Sequence, residues 1–187
     1  MKPKNNQTKN TDKNKNIAIA TFAGGCFWCM IPPFQKLPGV TQVIPGYTGG
    51  KTKNPSYEEV VSGTTGHMES VQVFYNPKKV SYEKLLDVFW QQINPEDAGG
   101  QFADRGNQYM TAIFYHDSKQ KNLAIASKKA LEKSGKFKKI ATRIIKAGEF
   151  YIAEQYHWDY HKKNPIQYQI YKKMSGRENF INKTWKK

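Results

Sequence analysis

The sequence predicts one layered domain in which helices pack on a mixed β-sheet, of the α/β or α+β class. Short apolar or alternating runs bounded by glycine-rich turns alternate with longer helix-like segments along the chain. The 187 residues are 38% hydrophobic and 13% aromatic, so the chain can bury a core without disulfide staples. Its two cysteines are too few for a secreted disulfide scaffold, and no apolar run reaches membrane-spanning length.

The first half of the domain begins with an apolar run, Ile17–Phe22, which is bounded by two glycines and predicts a buried strand. A helix is expected over 26–37, ending before Pro38 and Gly39. The stretch VTQVIPGYTGG (40–50) predicts a strand followed by a glycine turn. The capping-box pattern SYEE at Ser56–Glu59 predicts a short helix that runs to about Val61.

The second half continues with an alternating run, His67–Tyr75, which predicts a strand with Glu69 on the same face as two valines. Ser81 is placed to cap a helix with a leucine and aromatic face. Beyond it, the sequence predicts a strand over 108–116, a long helix over 118–134 and a strand over 139–147.

The ends of the chain differ in character from the domain between them. Residues 1–16 are polar and lysine-rich, and they predict a disordered basic leader before a single domain, 17–187. Near the other end, the aromatic-rich run 151–161 predicts a helix that stops near Asn164 and Pro165. Residues 166–187 show weak periodicity but carry aromatic anchors, so we expect an irregular tail that wraps over the domain.

The formal charge of +15 is unevenly spread. Residues 1–16 carry five Lys and one Asp, residues 17–118 carry seven basic and nine acidic groups, and residues 119–187 carry eighteen basic and five acidic groups. A basic half could bind nucleic acid. Because the cations are nearly all Lys and no nucleic-acid motif interleaves them, a solvated lysine-rich surface is the favoured interpretation, with no nucleic-acid partner.

Both cysteines of the chain lie in one stretch, AGGCFWCM, as Cys26 and Cys29. Cys26 follows two glycines and opens the first predicted helix, where unpaired N–H groups and the helix dipole favour a thiolate. Cys-X-X-Cys spacing also lowers the pKa of the first cysteine. The pair therefore predicts a nucleophile with a lowered pKa and a resolving thiol one helical turn away.

Two other interpretations of the cysteine pair stay open at this point. Zinc could be held by Cys26 and Cys29 together with His157 and His161, which have i, i+4 spacing. The two pairs lie far apart in the chain, and bulky aromatic residues crowd the first one, so we expect no metal. The cysteines could also be buried structural residues, since free cysteine is often buried.

The stretch GGCFWC resembles the active-site motif of the peptide methionine sulfoxide reductases of type A. Four further stretches resemble that family in the same order: GYTGG at 46–50, SYEEVVSGTTGHMESVQVFY at 56–75, DRGNQY at 104–109 and AEQYHWDYHKKNP at 153–165. The resemblance covers about Ile17 to Pro165. It implies an α+β fold, a ferredoxin-like two-layer sandwich with a mixed sheet, and reduction of methionine-(S)-sulfoxide, free or in oxidised proteins.

The resemblance also implies roles for individual residues. Cys26 would attack the sulfoxide sulfur, and Glu69 would act as general acid if burial raises its pKa. Tyr47 and Tyr109 would hydrogen-bond the sulfoxide oxygen, and Asp104 would orient its neighbours. The remaining roles fall to residues that surround these: Phe27 and Trp28 as the apolar wall for the substrate methyl group, and Glu154, Tyr156 and His157 as supporting groups.

This chain differs from many relatives in how its oxidised Cys26 can be reduced again, because it has no cysteine after Cys29. We expect Cys29 to resolve the sulfenic acid on Cys26, and thioredoxin or a similar dithiol to reduce the resulting disulfide. No bound cofactor is expected, and the enzyme is expected to be a monomer without a membrane partner. A cytoplasmic location is expected, although an exported form whose signal had been removed would have the same sequence. A general dithiol oxidoreductase is the enzymatic alternative.

Overall fold

The computed structural model describes residues 16–185. Its strands are β1 Ala18–Gly24, β2 Val40–Thr48, β3 Met68–Tyr75, β4 Gly100–Gln101, β5 Asp104–Arg105, β6 Thr111–Tyr115, β7 Arg143–Lys146 and β8 Phe150–Ile152. Its α-helices are α1 Phe27–Gln35, α2 Tyr57–Val61, α3 Tyr82–Gln91, α4 Ser118–Lys133, α5 Tyr160–Lys163, α6 Pro165–Met174 and α7 Arg177–Trp185. Nearly all of the predicted leader, residues 1–16, lies outside the described residues.

Six strands form the main sheet in the order β7-β6-β1-β3-β2-β8, and β4 and β5 form a separate pair. The four central strands are antiparallel, and α1 connects β1 to β2 while α3 lies between β3 and β6. This is the ferredoxin-like arrangement. At one edge β7 pairs with β6 in parallel, which makes the sheet mixed, and at the other edge β8 pairs with β2. The α+β class is confirmed.

The main core lies between the sheet and the helices α1 and α3. Phe22 of β1 stacks on Phe34 of α1 with ring centroids 5.3 Å apart and on Phe89 of α3 at 5.1 Å. A smaller cluster lies on the other face of the sheet and comprises Ala23, Met68, Ala112 and Phe114. Because side chains alternate along a strand, Phe22 and Ala23 serve opposite faces.

Local sequence signals place several elements as predicted. The Ser56 hydroxyl accepts from the Glu59 N–H while the Glu59 carboxylate accepts from the Ser56 N–H, so the predicted capping box is confirmed. Ser81 caps α3 through the Lys84 N–H, again as predicted. No helix within residues 16–185 is long and apolar enough to cross a bilayer.

The helix predicted over 151–161 is wrong. Its first residues belong to β8, which pairs with the edge of β2, and a 3₁₀ turn follows at Gln155–His157. Asp159 then adopts a left-handed backbone, φ 51°, and a regular helix cannot pass through that conformation. The tertiary pairing of β8 has overridden an aromatic-rich pattern that suits a helix.

The expectation of an irregular tail is also wrong, because residues 165–185 form the helices α6 and α7. Pro165 occupies the first position of α6, where its missing N–H costs nothing, so the proline starts a helix rather than only ending one. Gly176, at φ 83°, separates the two helices. Their periodicity is weak because each helix fully buries a single side chain, Tyr168 in α6 and Arg177 in α7.

Candidate active site

Cys26 lies at the turn between β1 and α1. Gly25, at φ 77°, reverses the chain, and Cys26 occupies the N-cap position of α1 with its side chain free of any capping bond. The first N–H groups of a helix have no partner within it. The Phe27 N–H, the first of these, donates to Glu69 Oε2 at 3.1 Å, which brings a carboxyl group of β3 to the start of α1.

Cys26 and Cys29 are both buried free thiols, and the Cys29 N–H donates to the Cys26 carbonyl at 3.1 Å. Burial raises the pKa of Cys26, and Cys29 and Glu69 beside it act in the same direction. A hydrogen bond from Cys26 lowers the pKa of Cys29 to about 7, against the opposing effect of burial. The expected lowering of the Cys26 pKa is therefore wrong for the resting site, because burial raises that pKa.

Glu69 is almost fully enclosed, with 2% of its surface exposed. Burial raises its pKa from 4.5 to about 8, with the Phe27 N–H opposing the shift and Asp104 adding to it. The side chain lies on the face of β3 that also carries Val71 and Val73 in the main core. Most of this carboxyl group is therefore protonated at neutral pH, so it can donate a proton.

A small pocket opens over the cysteine and contains most of the site residues that the sequence predicted. It is lined by Cys26, Phe27, Trp28, Tyr57, Glu69, Asp104, Tyr109 and Tyr171. A cysteine thiol, a largely protonated carboxyl group and several phenols thus line one cavity with an aromatic wall.

Tyr47, expected to bind the substrate oxygen, does not line this pocket. Its buried hydroxyl donates to Glu154 Oε2 at 2.7 Å, and Glu154 Oε1 accepts from the Tyr57 N–H at 3.0 Å. The Tyr47–Glu154 pair therefore fixes the start of α2, and Tyr57 is the tyrosine that reaches the pocket. The sequence offered a weak signal for Tyr57, since it directly follows the capping residue Ser56.

The wall residue Trp28 is held from outside the pocket. Its indole N–H donates to His157 Nδ1 at 3.1 Å, and its ring stacks on Tyr160 with centroids 3.8 Å apart. His157 is completely buried, and burial lowers its pKa to about 4, so it stays neutral and accepts this bond. Tyr156, also predicted as a supporting group, is half exposed and contacts the His157 ring.

The C-terminal helices complete the site. The Tyr171 hydroxyl of α6 donates to Asp104 Oδ2, and its ring meets Trp28 edge-on. Arg177 of α7 is 1% exposed and donates to the carbonyl oxygens of Gly24 at 3.0 Å and Gln92 at 2.7 Å. Sequence reasoning recognised Tyr171 only as an anchor and missed Arg177, the single arginine among the lysines of the tail.

Comparison with known proteins agrees with this geometry. The family model described as peptide methionine sulfoxide reductase matches residues 18–187. The chain belongs to this family. It is 61% identical over 168 residues to the peptide methionine sulfoxide reductase MsrA of Bacillus subtilis, covering 89% of this chain and 95% of that one. The corresponding protein of Bacillus licheniformis is 60% identical over 168 residues, covering 89% and 93%.

Solved structures of this family share the fold. The reduced form of Mxr1 from Saccharomyces cerevisiae superposes with a TM-score of 0.74 at 32% identity, covering 81% of this chain and 87% of that one. Methionine sulfoxide reductase A of Corynebacterium diphtheriae gives a TM-score of 0.74 at 30% identity, covering 82% and 78%. The predicted family and the predicted enzyme class, an oxidoreductase acting on methionine sulfoxide, are confirmed.

The zinc alternative finds no support in the described geometry of this reductase. His157 Nδ1 accepts from Trp28, and the ring of His161 packs against Tyr168. Within residues 16–185, no group of three or more His, Cys, Asp or Glu side chains is arranged to hold a metal ion. The two histidines that the zinc hypothesis assigned as ligands instead serve as a hydrogen-bond acceptor and as aromatic packing.

Proposed function

We propose that this reductase converts methionine-(S)-sulfoxide, free or in proteins, to methionine through a sulfenic acid on Cys26. The observation that carries this proposal is the shared pocket of Cys26 and Glu69, in which a buried carboxyl group with a raised pKa faces the sulfur. A carboxyl group that is neutral at pH 7 is a competent general acid.

The first step joins the Cys26 sulfur to the sulfoxide sulfur while Glu69 gives its proton to the oxygen. The S–O bond then breaks, the hydroxyl group moves to the Cys26 sulfur, and methionine leaves with the electron pair. Cys26 is oxidised to a sulfenic acid and the substrate is reduced by the same two electrons. Proton donation to the oxygen is what makes the S–O bond weak enough to break.

The walls of the pocket supply recognition. Tyr57 and Tyr109 carry phenol groups that can donate to the sulfoxide oxygen, and burial raises the pKa of both, so they remain protonated donors. Phe27 and Trp28 provide an apolar surface for the S-methyl group. Phenol donors together with an apolar wall can distinguish the two arrangements of oxygen and methyl at a chiral sulfur. The resemblance to the family implies that the S epimer is the one accepted.

Cys29 is the candidate resolving thiol. It lies in the first turn of α1, and its pKa of about 7 keeps a useful fraction of it as thiolate. Attack of this thiolate on the Cys26 sulfenic sulfur forms the disulfide and releases the hydroxyl group as water, once a proton is added. No other cysteine of the chain is available for this step.

Thioredoxin is the proposed reductant of that disulfide. A complex of Mxr1 from Saccharomyces cerevisiae with Trx2 has been solved, and its Mxr1 fold matches this chain with a TM-score of 0.52 at 25% identity, covering 76% and 85%. A dithiol partner supplies the two electrons that the catalytic cycle consumes. We propose a monomeric cytoplasmic enzyme that needs this partner and no bound cofactor.

A single-turnover assay without reductant tests the proposal. The enzyme should release one equivalent of methionine from the S epimer of methionine sulfoxide and almost none from the R epimer, with loss of both thiols. Cys26→Ser should release none. Activity in Cys26→Ser, or reduction of insulin disulfides without any reduction of sulfoxide, would refute the assignment, the latter in favour of a general dithiol oxidoreductase.

A further inference from the structure

Asp104 and Tyr171 line the pocket, but the steps above give them no proton to move. Their positions are specific. The Tyr171 hydroxyl donates to Asp104 Oδ2, both residues line the same small pocket as Cys26, and the Tyr171 hydroxyl lowers the pKa of the Cys26 thiol against the effect of burial. The phenol of Tyr171 therefore lies close to both the Cys26 thiol and the Asp104 carboxylate, and all three groups line the same cavity.

The resting Cys26 thiol needs a base. It is buried in the pocket wall and keeps its proton, because burial raises its pKa. Glu69 cannot serve as that base while it holds the proton intended for the substrate oxygen. Asp104 is the remaining carboxyl group in the pocket.

We propose that Tyr171 and Asp104 form a relay that removes the proton from Cys26 as its sulfur attacks the substrate. The relay rests on the proposed function, in which Cys26 is the nucleophile. The thiol proton passes to the Tyr171 oxygen, and the phenolic proton passes to Asp104 Oδ2. The thiol electron pair forms the bond to the sulfoxide sulfur, Tyr171 ends as a neutral phenol, and Asp104 ends protonated.

The same relay balances the resolving step when it runs backwards. Attack of the Cys29 thiolate on the sulfenic acid expels hydroxide, which needs one proton to leave as water. Asp104 returns its proton through Tyr171 to that oxygen and becomes a carboxylate again. Glu69 regains its own proton from solvent, so the reduced site is restored once the disulfide is reduced.

The C-terminal helices hold the relay in place. Tyr171 is fixed by its edge-on contact with Trp28, and α7 is tied to the catalytic turn by Arg177 through the Gly24 carbonyl. Burial raises the pKa of Asp104, which brings it closer to accepting a proton, and Arg177 opposes that shift. Besides burial, Cys29 and Glu69 also act on Cys26, and both raise its pKa. Cys26 in turn adds to burial in raising the pKa of the surrounding tyrosines Tyr57, Tyr109 and Tyr168.

The test uses the full chain in a Cys29→Ser background, so that methionine release reports the first step alone. Tyr171→Phe keeps the ring but loses the hydroxyl, and Asp104→Asn keeps an oxygen acceptor for Tyr171 but cannot take the proton. Each should slow methionine release at pH 7 by about 100-fold, the scale of general acid–base catalysis. The double variant should be no slower than either single variant, because both break one relay.

Tyr115→Phe is the matched control, since Tyr115 lies in β6 away from the pocket, and it should leave the rate unchanged. The loss of methionine-release rate in Tyr171→Phe and Asp104→Asn should become smaller as pH rises, because the Cys26 thiol then loses its proton directly to hydroxide. Circular dichroism and thermal unfolding establish that each variant is folded. A purely structural role for Tyr171 would lower the unfolding temperature without this pH-dependent recovery.

Three outcomes would overturn the relay: a normal rate in Tyr171→Phe, a normal rate in Asp104→Asn, or multiplicative losses in the double variant. If the Cys29→Ser parent releases no methionine at all, the proposed function fails instead. Alkylation of Cys26 by iodoacetamide in the same proteins then still tests the relay. It should be slowed at pH 7 in both single variants, and unchanged rates would exclude proton transfer through Tyr171.

Discussion

Glu69 Oε2 lies 3.1 Å from the backbone nitrogen of Phe27, the first residue of the helix that carries both thiols. This bond joins the middle of the sheet to the start of α1. It also holds the carboxyl group in the pocket of Cys26, where desolvation raises the pKa of Glu69 by more than the Phe27 N–H and the charge of Arg177 lower it.

Glu69→Gln separates the two roles of this side chain. The amide oxygen can still accept from the Phe27 N–H, but the amide has no acidic proton to give. We expect the single-turnover rate of methionine release to fall by at least about 100-fold, with little change in substrate affinity. The exposed Glu83→Gln on α3 is the control and should behave as the parent. A Glu69→Gln rate close to that of the parent would remove Glu69 from the acid role.

The stability of the reduced protein should depend on the Glu69 proton. The pKa of the Glu69 side chain rises from an ordinary value of 4.5 to about 8 in the folded protein. Between these two pH values the folded protein holds a proton that the unfolded chain releases. The contribution of Glu69 to the free energy of unfolding should therefore decrease as pH rises from about 4.5 to about 8. Urea unfolding at pH 5 and pH 8 measures it, and Glu69→Gln should be less pH-dependent than the parent. Equal pH dependence in the two proteins would contradict the raised pKa.

Tyr57 and Tyr47 should differ in what they contribute. Tyr57→Phe removes a phenol from the pocket, and we expect kcat/KM to fall about tenfold, as for loss of one hydrogen bond to a developing charge. Tyr47→Phe removes the bond to Glu154 outside the pocket, and should cost about 1 kcal/mol of unfolding free energy with a smaller effect on rate. Steady-state kinetics and urea unfolding on both variants measure the contrast. The reverse order of kinetic effects would favour Tyr47 as the substrate-binding phenol.

Cys29→Ser should leave the first turnover intact but block formation of the disulfide. Thioredoxin-driven turnover is expected to slow by about tenfold or more, because the partner then lacks a disulfide to attack. Mass spectrometry after reaction with dimedone should detect the trapped Cys26 sulfenic acid in this variant and not in the parent. Unchanged turnover with thioredoxin would show that Cys29 is not the resolving thiol.

Much of the site could be predicted because its residues lie in short sequence motifs that are typical of a known chemistry or family. Two thiols one helical turn apart after paired glycines are typical of a redox site. The roles expected of Glu69, Asp104 and Tyr109 came from the resemblance to the family. The structure brings Cys26, Glu69, Asp104 and Tyr109 into one pocket. The capped helices were equally predictable, since capping is decided within a few residues.

The errors arose where distant parts of the chain decide the outcome. Nothing local tells which of two tyrosines reaches the pocket, because Tyr47 is turned away by Glu154, a residue more than a hundred positions later. The Cys26 pKa was misjudged because the helix start favours the thiolate, while burial, which the sequence does not display, opposes it more strongly. The helix expected over 151–161 gave way to a strand pairing that only the folded sheet provides.

Arg177 has a consequence for how the enzyme matures during synthesis. Its guanidinium group donates a hydrogen bond to the carbonyl oxygen of Gly24, which lies two residues before Cys26. Arg177 and Gly24 are 153 positions apart in the chain. The chain must therefore be synthesised at least as far as Arg177 before the turn at Gly24 to Cys26 acquires this support. Chains that end before Arg177 lack this hydrogen bond at the turn that carries Cys26.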